Sequence, residues 1–256
     1  MKIPKLILLI CYLPVFTAAQ SVTKLEADLL RAFDRIDYWY QNRSNPGGDD
    51  SLENANVVFG KKLKNYTGKY SFTISHPFNQ LTKAGLKVVT SADGLLRIYS
   101  WDTSLGGTMH KFRNIAQYKS GTKVYSTLLI TDKAGFEPFY SDIYPINTEE
   151  KTYYLSINKS ILSSAYLVQG VRVFTIEHDK LNINAKLIKT KSGLNYRLDV
   201  DSDLSADVNK GIGEQPELQF YPKTQALKVP LITSKGKITN KFIVYKFTGK
   251  YFERIK

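Results

Sequence analysis

Trp101-Asp102-Thr103-Ser104-Leu105-Gly106-Gly107-Thr108-Met109-His110 gathers the residue types that acid–base chemistry requires. An acid and a histidine eight positions apart, on either side of a glycine pair, could come together as a proton donor and acceptor. Gly106 and Gly107 would let a ligand approach the backbone closely, and Trp101 offers a flat apolar surface. The residue types favour a plainer alternative. In it, a glycine turn joins two strands, Asp102 caps the turn and Trp101 belongs to the core. Asp102 and His110 are the catalytic candidates, and Trp101, Gly106 and Gly107 the ligand-binding candidates.

Other chemistries find less support. His76, His110 and His178 are far apart and never stand at ligand spacing, and no His-Glu-x-x-His is present, so a zinc site is not expected. No Gly-x-Ser-x-Gly elbow marks a serine nucleophile. Asp199, Asp201, Asp203 and Asp207 form the one acidic cluster, in what reads as a polar loop ending at Gly211 and Gly213. A calcium loop beginning at Asp199 needs a glycine where Leu204 stands and a glutamate where Lys210 stands. Gly211-Ile212-Gly213 lacks the lysine of a phosphate-binding loop. No metal and no cofactor is called for.

The elements that must position the loop change character near Gly68. From Val22, Leu25, Leu29, Phe33, Ile36 and Tyr40 recur at helical spacing, ending before Asn45-Pro46-Gly47-Gly48. Asp50 and Glu53 have capping-box spacing, and Leu52, Ala55, Phe59, Leu63 and Tyr66 continue a second helix to Thr67-Gly68. Two amphipathic helices joined by a short loop predict a hairpin with a stripe to bury. Strand grammar follows: Tyr70 to Ile74, Leu86 to Thr90, then Leu95 to Trp101 across Asp93-Gly94. Further turns are expected at Ser120-Gly121, His178-Asp179-Lys180, Pro222-Lys223-Thr224 and Thr248-Gly249. Strands are expected at Tyr153–Ile157, Val171–Ile176, Asn184–Thr190, Gln219–Tyr221, Leu227–Leu231 and Phe242–Phe247. The reading is a mainly β protein: an N-terminal α-helical hairpin over residues 20–68, then an antiparallel β-meander over 69–256, propeller-like or sandwich-like, packed on the hairpin.

Residues 1–19 carry a short basic start, an apolar run from Leu6 to Phe16, and small residues at Thr17 and Ala19. They read as a signal peptide cleaved after Ala19. The run is shorter than the ~20 residues that span a bilayer, so the mature chain is expected to lack a transmembrane segment. Cys11, the sole cysteine, would leave with the signal. Its place within the apolar run, after Ile10, is wrong for a lipid anchor. The expected address is periplasmic or extracellular, with a cysteine-free mature chain stabilised by core burial. The tripeptides at Asn42, Asn65 and Asn158 match glycosylation sequons but are too short to be specific.

The chain carries a formal net charge of +13, with 17 tyrosines and 13 phenylalanines. The lysines are scattered over strand-like segments instead of being concentrated on one face, so nucleic acid is not the expected partner. Lysines suit strand edges, where they oppose sheet-to-sheet pairing, and they also attract acidic polymers at long range.

Two stretches, Gly94 to His110 and Tyr245-Lys246-Phe247-Thr248-Gly249-Lys250-Tyr251-Phe252, resemble a group of uncharacterised secreted proteins of Bacteroidetes-type bacteria. The resemblance implies export and a β-rich body, and carries no activity. The expected function is a non-catalytic binding or assembly module of the envelope, with an envelope glycan or another surface protein as partner. The alternative is a secreted hydrolase acting on glycan or peptide near Trp101–His110. An outer-membrane barrel fits worst, since the chain ends Arg254-Ile255-Lys256 instead of in an aromatic residue.

Overall fold

The structure is a computed structural model that describes residues 15–130, 137–203, 216–234 and 236–255. Cys11, Asp207, Gly211, Gly213 and most of the expected signal segment lie outside the described residues.

Helices α1 (Val15–Gln41) and α2 (Gly48–Lys69) form the expected hairpin. Their buried stripe is the periodic set: Leu25, Leu29 and Ile36 on α1, and Leu52, Ala55, Phe59 and Leu63 on α2. Ala32 joins the stripe, whereas Tyr40 is exposed. The two helices are tied by Asp28, which accepts from Lys62 Nζ at 2.8 Å and from the Tyr66 hydroxyl at 2.8 Å. Those two donors hold the Asp28 carboxyl below the usual aspartate range. The capping box at Asp50 does not form. The helix starts earlier, with left-handed Gly47 at its N-cap, while Asp49 pairs with Arg43 and Glu53 with Arg113. Arg113 thus holds Glu53, the acid that the capping pattern would have used.

Tyr70–Ile74, expected as a strand, is a 3-10 turn over Ser71–Ile74. The Thr73 hydroxyl and amide both donate to the Tyr70 carbonyl, and Arg97 and Tyr99 donate to the Thr73 carbonyl. These bonds close the segment on itself and satisfy its backbone without a sheet partner. A short helix α3 (Asn79–Lys83) follows, absent from the sequence reading. It has no side-chain cap of its own. Glu26 of α1 supplies one: its Oε1 accepts from the Gln80 amide at 2.8 Å, and its Oε2 meets His76 Nε2 at 3.0 Å.

Three sheets follow, stacked behind the hairpin. The front sheet is a meander of β1 (Lys87–Thr90), β2 (Leu96–Asp102), β3 (Phe112–Ser120) and β4 (Lys123–Leu129). The central sheet contains β5 (Phe139–Asn147), β6 (Thr152–Ser163), β7 (Tyr166–Glu177) and the short β8 (Lys180–Asn182). The back sheet opens with the short strands β9 (Ile188–Thr190) and β10 (Gly193–Asn195). The chain then returns to the central sheet as β11 (Arg197–Asp203), pairing with β7. The back sheet is completed by β12 (Gln219–Tyr221), β13 (Ala226–Ile232), β14 (Ile238–Phe247) and β15 (Phe252–Arg254). Among the described residues all pairings are antiparallel except β15 with β9. The protein is mainly β, as expected, and the stacking is sandwich-like; among the described residues no sheet closes into a barrel. The turns expected at Asp93-Gly94, Ser120-Gly121, His178-Asp179-Lys180, Pro222-Lys223-Thr224 and Thr248-Gly249 each join paired strands.

Strand alternation produces the layers. On β2, Tyr99 and Trp101 face the helices while Leu96 and Ile98 face the central sheet. On β6 and β7, Tyr154 and Phe174 face forward, and Leu155, Ile157, Val171 and Val173 face back onto Leu227, Val229 and Phe252. The front and central sheets are therefore buried on both faces, and the back sheet on one.

Candidate functional site

Asp102 closes β2, and the loop to His110 turns on left-handed residues at Ser104 (φ 57°) and Gly107 (φ 61°). The Asp102 Oδ1 accepts from the Ser104 amide at 2.9 Å, and Oδ2 lies 2.5 Å from His110 Nδ1. The two side chains thus do come together, with the carboxylate orienting the imidazole. Both are substantially solvated, at 33% and 45% side-chain exposure, and His110 stacks beside Phe112. A Cβ at Gly106 would run into the Met109 carbonyl oxygen, so this glycine is required by the turn itself. Trp101 is fully buried; its ring meets Phe59 edge-on, and its indole N–H donates to Asn56 Oδ1 at 3.0 Å. The Asn56 amide donates in turn to the Leu52 and Thr103 carbonyls, which fixes the end of β2 against α2. Trp101 therefore presents no surface to a ligand. Beside the loop, Asp102 and Ser104 line a cleft of about 370 Å³ with Asp34 and Asp37 of α1.

The acidic cluster, expected as a loop, is in part strand β11. Asp199 points over Gly170, where a Cβ would crowd it, and accepts from Arg172 at 2.6 Å, with Arg197 close by at 3.6 Å. It is committed to arginines instead of a cation site. His76 is engaged by Glu26, and His178 occupies the β7–β8 turn at φ 49°. Among the described residues no group of three or more His, Cys, Asp or Glu is placed to hold a metal, and no helix is long and apolar enough to cross a membrane.

Two features escaped the sequence reading. The first is the outer face of the back sheet, the one sheet face that no layer covers among the described residues. One row of paired residues, Tyr221, Ala226, Lys246, Glu253 and Lys189, crosses it outward, with Lys228 and Phe242 on adjoining rows. Tyr221 and Phe242 are 39% and 40% exposed. Lys228 Nζ lies 4.7 Å over the Tyr221 ring and Lys189 Nζ 4.8 Å over that of Tyr251. Alternation of Lys228, Lys246 and Phe242 with Leu227, Tyr245 and Ile243 was the available signal. The second is a cleft between the front and central sheets, lined by Asn114, Tyr140, Arg172, Phe174, Asn184 and Tyr196 among others. Its residues come from distant strands. Only Arg172, a charge between two inward valines, could have pointed to it.

No protein-family model, no curated protein and no solved structure matches the chain.

Proposed function

We propose that the protein is an exported, non-catalytic binding module whose back-sheet outer face engages an acidic polysaccharide of the envelope. The observation that carries this reading is that face itself: Lys189, Lys228 and Lys246 beside Tyr221 and Phe242, with Glu253 the acid in the row. Lysines supply long-range attraction to anionic groups, and the tyrosine and phenylalanine rings offer apolar area for the faces of sugar rings. Export rests on the N-terminal pattern. The test is affinity electrophoresis of the chain from Gln20 in a uronic-acid polymer and in a neutral glucan. Retardation in the uronate gel that fades with salt, and that a Lys189→Glu, Lys228→Glu, Lys246→Glu variant abolishes, supports the reading. Equal mobility of wild type and variant overturns it.

A second reading, a hydrolase acting on glycan or peptide, is favoured by the Asp102–His110 contact at 2.5 Å beside the α1 cleft. The oriented imidazole would serve as general base to a water molecule. Its solvent exposure weighs against it, because such a base works best where water is excluded. Any hydrolytic activity on glycan or peptide substrates must fall in Asp102→Asn and His110→Ala; equal rates remove these residues from consideration.

A further inference from the structure

The front and central sheets do not meet through apolar groups alone. Where β2 ends and β3 begins, over the start of β5, the facing residues turn polar: Ser100 and Asn114 in front, and Tyr140, Ser156, Asn158 and Arg172 behind, all buried. Some of this polarity is internally satisfied. The Tyr140 amide donates to Ser100 Oγ at 3.2 Å, the Asn114 amide to the Pro138 carbonyl at 2.8 Å, and Arg172 to Asp199 at 2.6 Å. Three atoms are not. Asn114 Oδ1, Ser156 Oγ and Asn158 Nδ2 are buried without a hydrogen-bond partner.

These atoms fall in one neighbourhood. In the central sheet Asn158 is paired with Tyr140 and Gly170, and Ser156 with Arg172, so the unpartnered groups stand next to residues that line the cleft. Asn114 lines it directly and is 4% exposed. Its amide orientation is fixed, because the Pro138 carbonyl can only accept; its Oδ1 is therefore left as a buried, unpartnered acceptor in the cleft wall. Around it the walls alternate in character. Phe174, Tyr140 and Ile183 are apolar, Arg172 brings a guanidinium neutralised by Asp199, and Asn184 and Tyr196 stand at the solvent side.

We infer that this cleft is a second, separate binding site, and that it takes the hydroxyl-bearing end of a neutral sugar or polyol. A neutral ligand is indicated because Arg172, the charged side chain of the lining, is already held by Asp199 at 2.6 Å. A donor group is required to meet Asn114 Oδ1, and the aromatic walls suit the C–H faces of a sugar. The inner cavity, about 50 Å³, admits a hydroxymethyl-sized group and leaves the rest of the ligand at the mouth between Ile130, Asn184 and Tyr196. The site is independent of the back-sheet face, which lies on the far side of the central sheet.

Buried polar groups of this kind can also be satisfied by internal water, and the experiment separates the two. Isotope-labelled protein is titrated with glucose, galactose, glycerol and a neutral glucan oligomer, following the Asn114 side-chain amide and the Tyr140 and Tyr196 backbone amides by NMR. Saturable shifts confined to these signals are expected. A response to glycerol as well as to sugars assigns a general polyol site, and a response to the oligomer alone assigns a chain end. Asn114→Leu should weaken binding about tenfold, the worth of one hydrogen bond. Tyr196→Ala, at the mouth and outside the inter-sheet packing, should weaken it too, which keeps the test valid if the Asn114 variant folds poorly. Absence of any saturable shift overturns the inference and leaves the cleft to internal water, as does binding that neither variant alters.

Discussion

The two faces of the central sheet are built from the same strands and do opposite things. Backward, Leu155, Ile157, Val171 and Val173 meet the back sheet in an apolar layer. Forward, one residue out of step, Ser156, Asn158 and Arg172 are as deeply buried, yet they carry two of the three unpartnered polar atoms. A strand reverses side-chain direction at every residue, so a single segment can hold the fold with one face and expose chemistry with the other. Burying an unsatisfied polar group costs stability, and a layer that accepts that cost next to an apolar one is a place for function only when something else meets its groups. The back face is the structural reference against which the front face is judged.

The sharpest contrast is obtained by truncating one residue on each face. Leu155→Ala should lower the free energy of unfolding by about 2–5 kcal/mol in denaturant titration, because it leaves a cavity in a close-packed layer. A loss well under 1 kcal/mol would show that the back face is loosely packed and would erase the comparison. On the front face, Arg172→Met should cost about 1–3 kcal/mol, because the nearly buried Asp199 loses its 2.6 Å partner and is left with the more distant Arg197. Adding Asp199→Leu should recover most of that loss; a double variant no better than the single would mean that the pair is not coupled.

Tyr154 extends the comparison to pH. It faces forward, and burial together with the Asp93 carboxylate, which accepts its hydroxyl at 3.0 Å, pushes its phenol far above the ordinary tyrosine range. The folded state therefore resists its ionisation. The associated stability is complete below about pH 10, the pKa of an unfolded tyrosine, and is lost as pH rises toward the folded value. Melting temperature followed from pH 9 to 11 should fall less steeply in Tyr154→Phe than in wild type. Parallel slopes would place the alkaline loss elsewhere, for instance at the fully buried Tyr99. The smallest effect is expected at the loop. Asp102→Asn, which weakens a half-exposed pair, should change unfolding free energy by less than about 1 kcal/mol. A larger loss would make the loop part of the core scaffold.

Much of the fold was legible because it is local. The α2 stripe of Leu52, Ala55, Phe59 and Leu63 repeats at helical spacing, and the turns at Asp93-Gly94 and Thr248-Gly249 carry their own backbone requirements. Local signals failed where a distant group took over. Arg97 and Tyr99 hold Thr73 in a 3-10 turn that alternation alone would make a strand. Asp199 and Asp201, polar enough for a loop, are carried on β11 by pairing with β7 and by Arg172. At the loop candidate, the Asp102–His110 contact was foreseeable from spacing, whereas the burial of Trp101 depends on Asn56, forty-five positions earlier. The inter-sheet cleft left one trace, Arg172 between two inward valines, because Asn114, Tyr140 and Tyr196 join it only through the stacking of two sheets.

The central claim is that the forward face of the central sheet keeps buried polar groups that the fold itself does not use. Ser156→Ala tests it most directly, because it deletes one unpartnered hydroxyl with little change in shape. Its unfolding free energy, measured by denaturant titration without added ligand, should equal or exceed that of wild type. A loss of more than about 1 kcal/mol would show that the hydroxyl is satisfied within the folded protein, and would contradict the account.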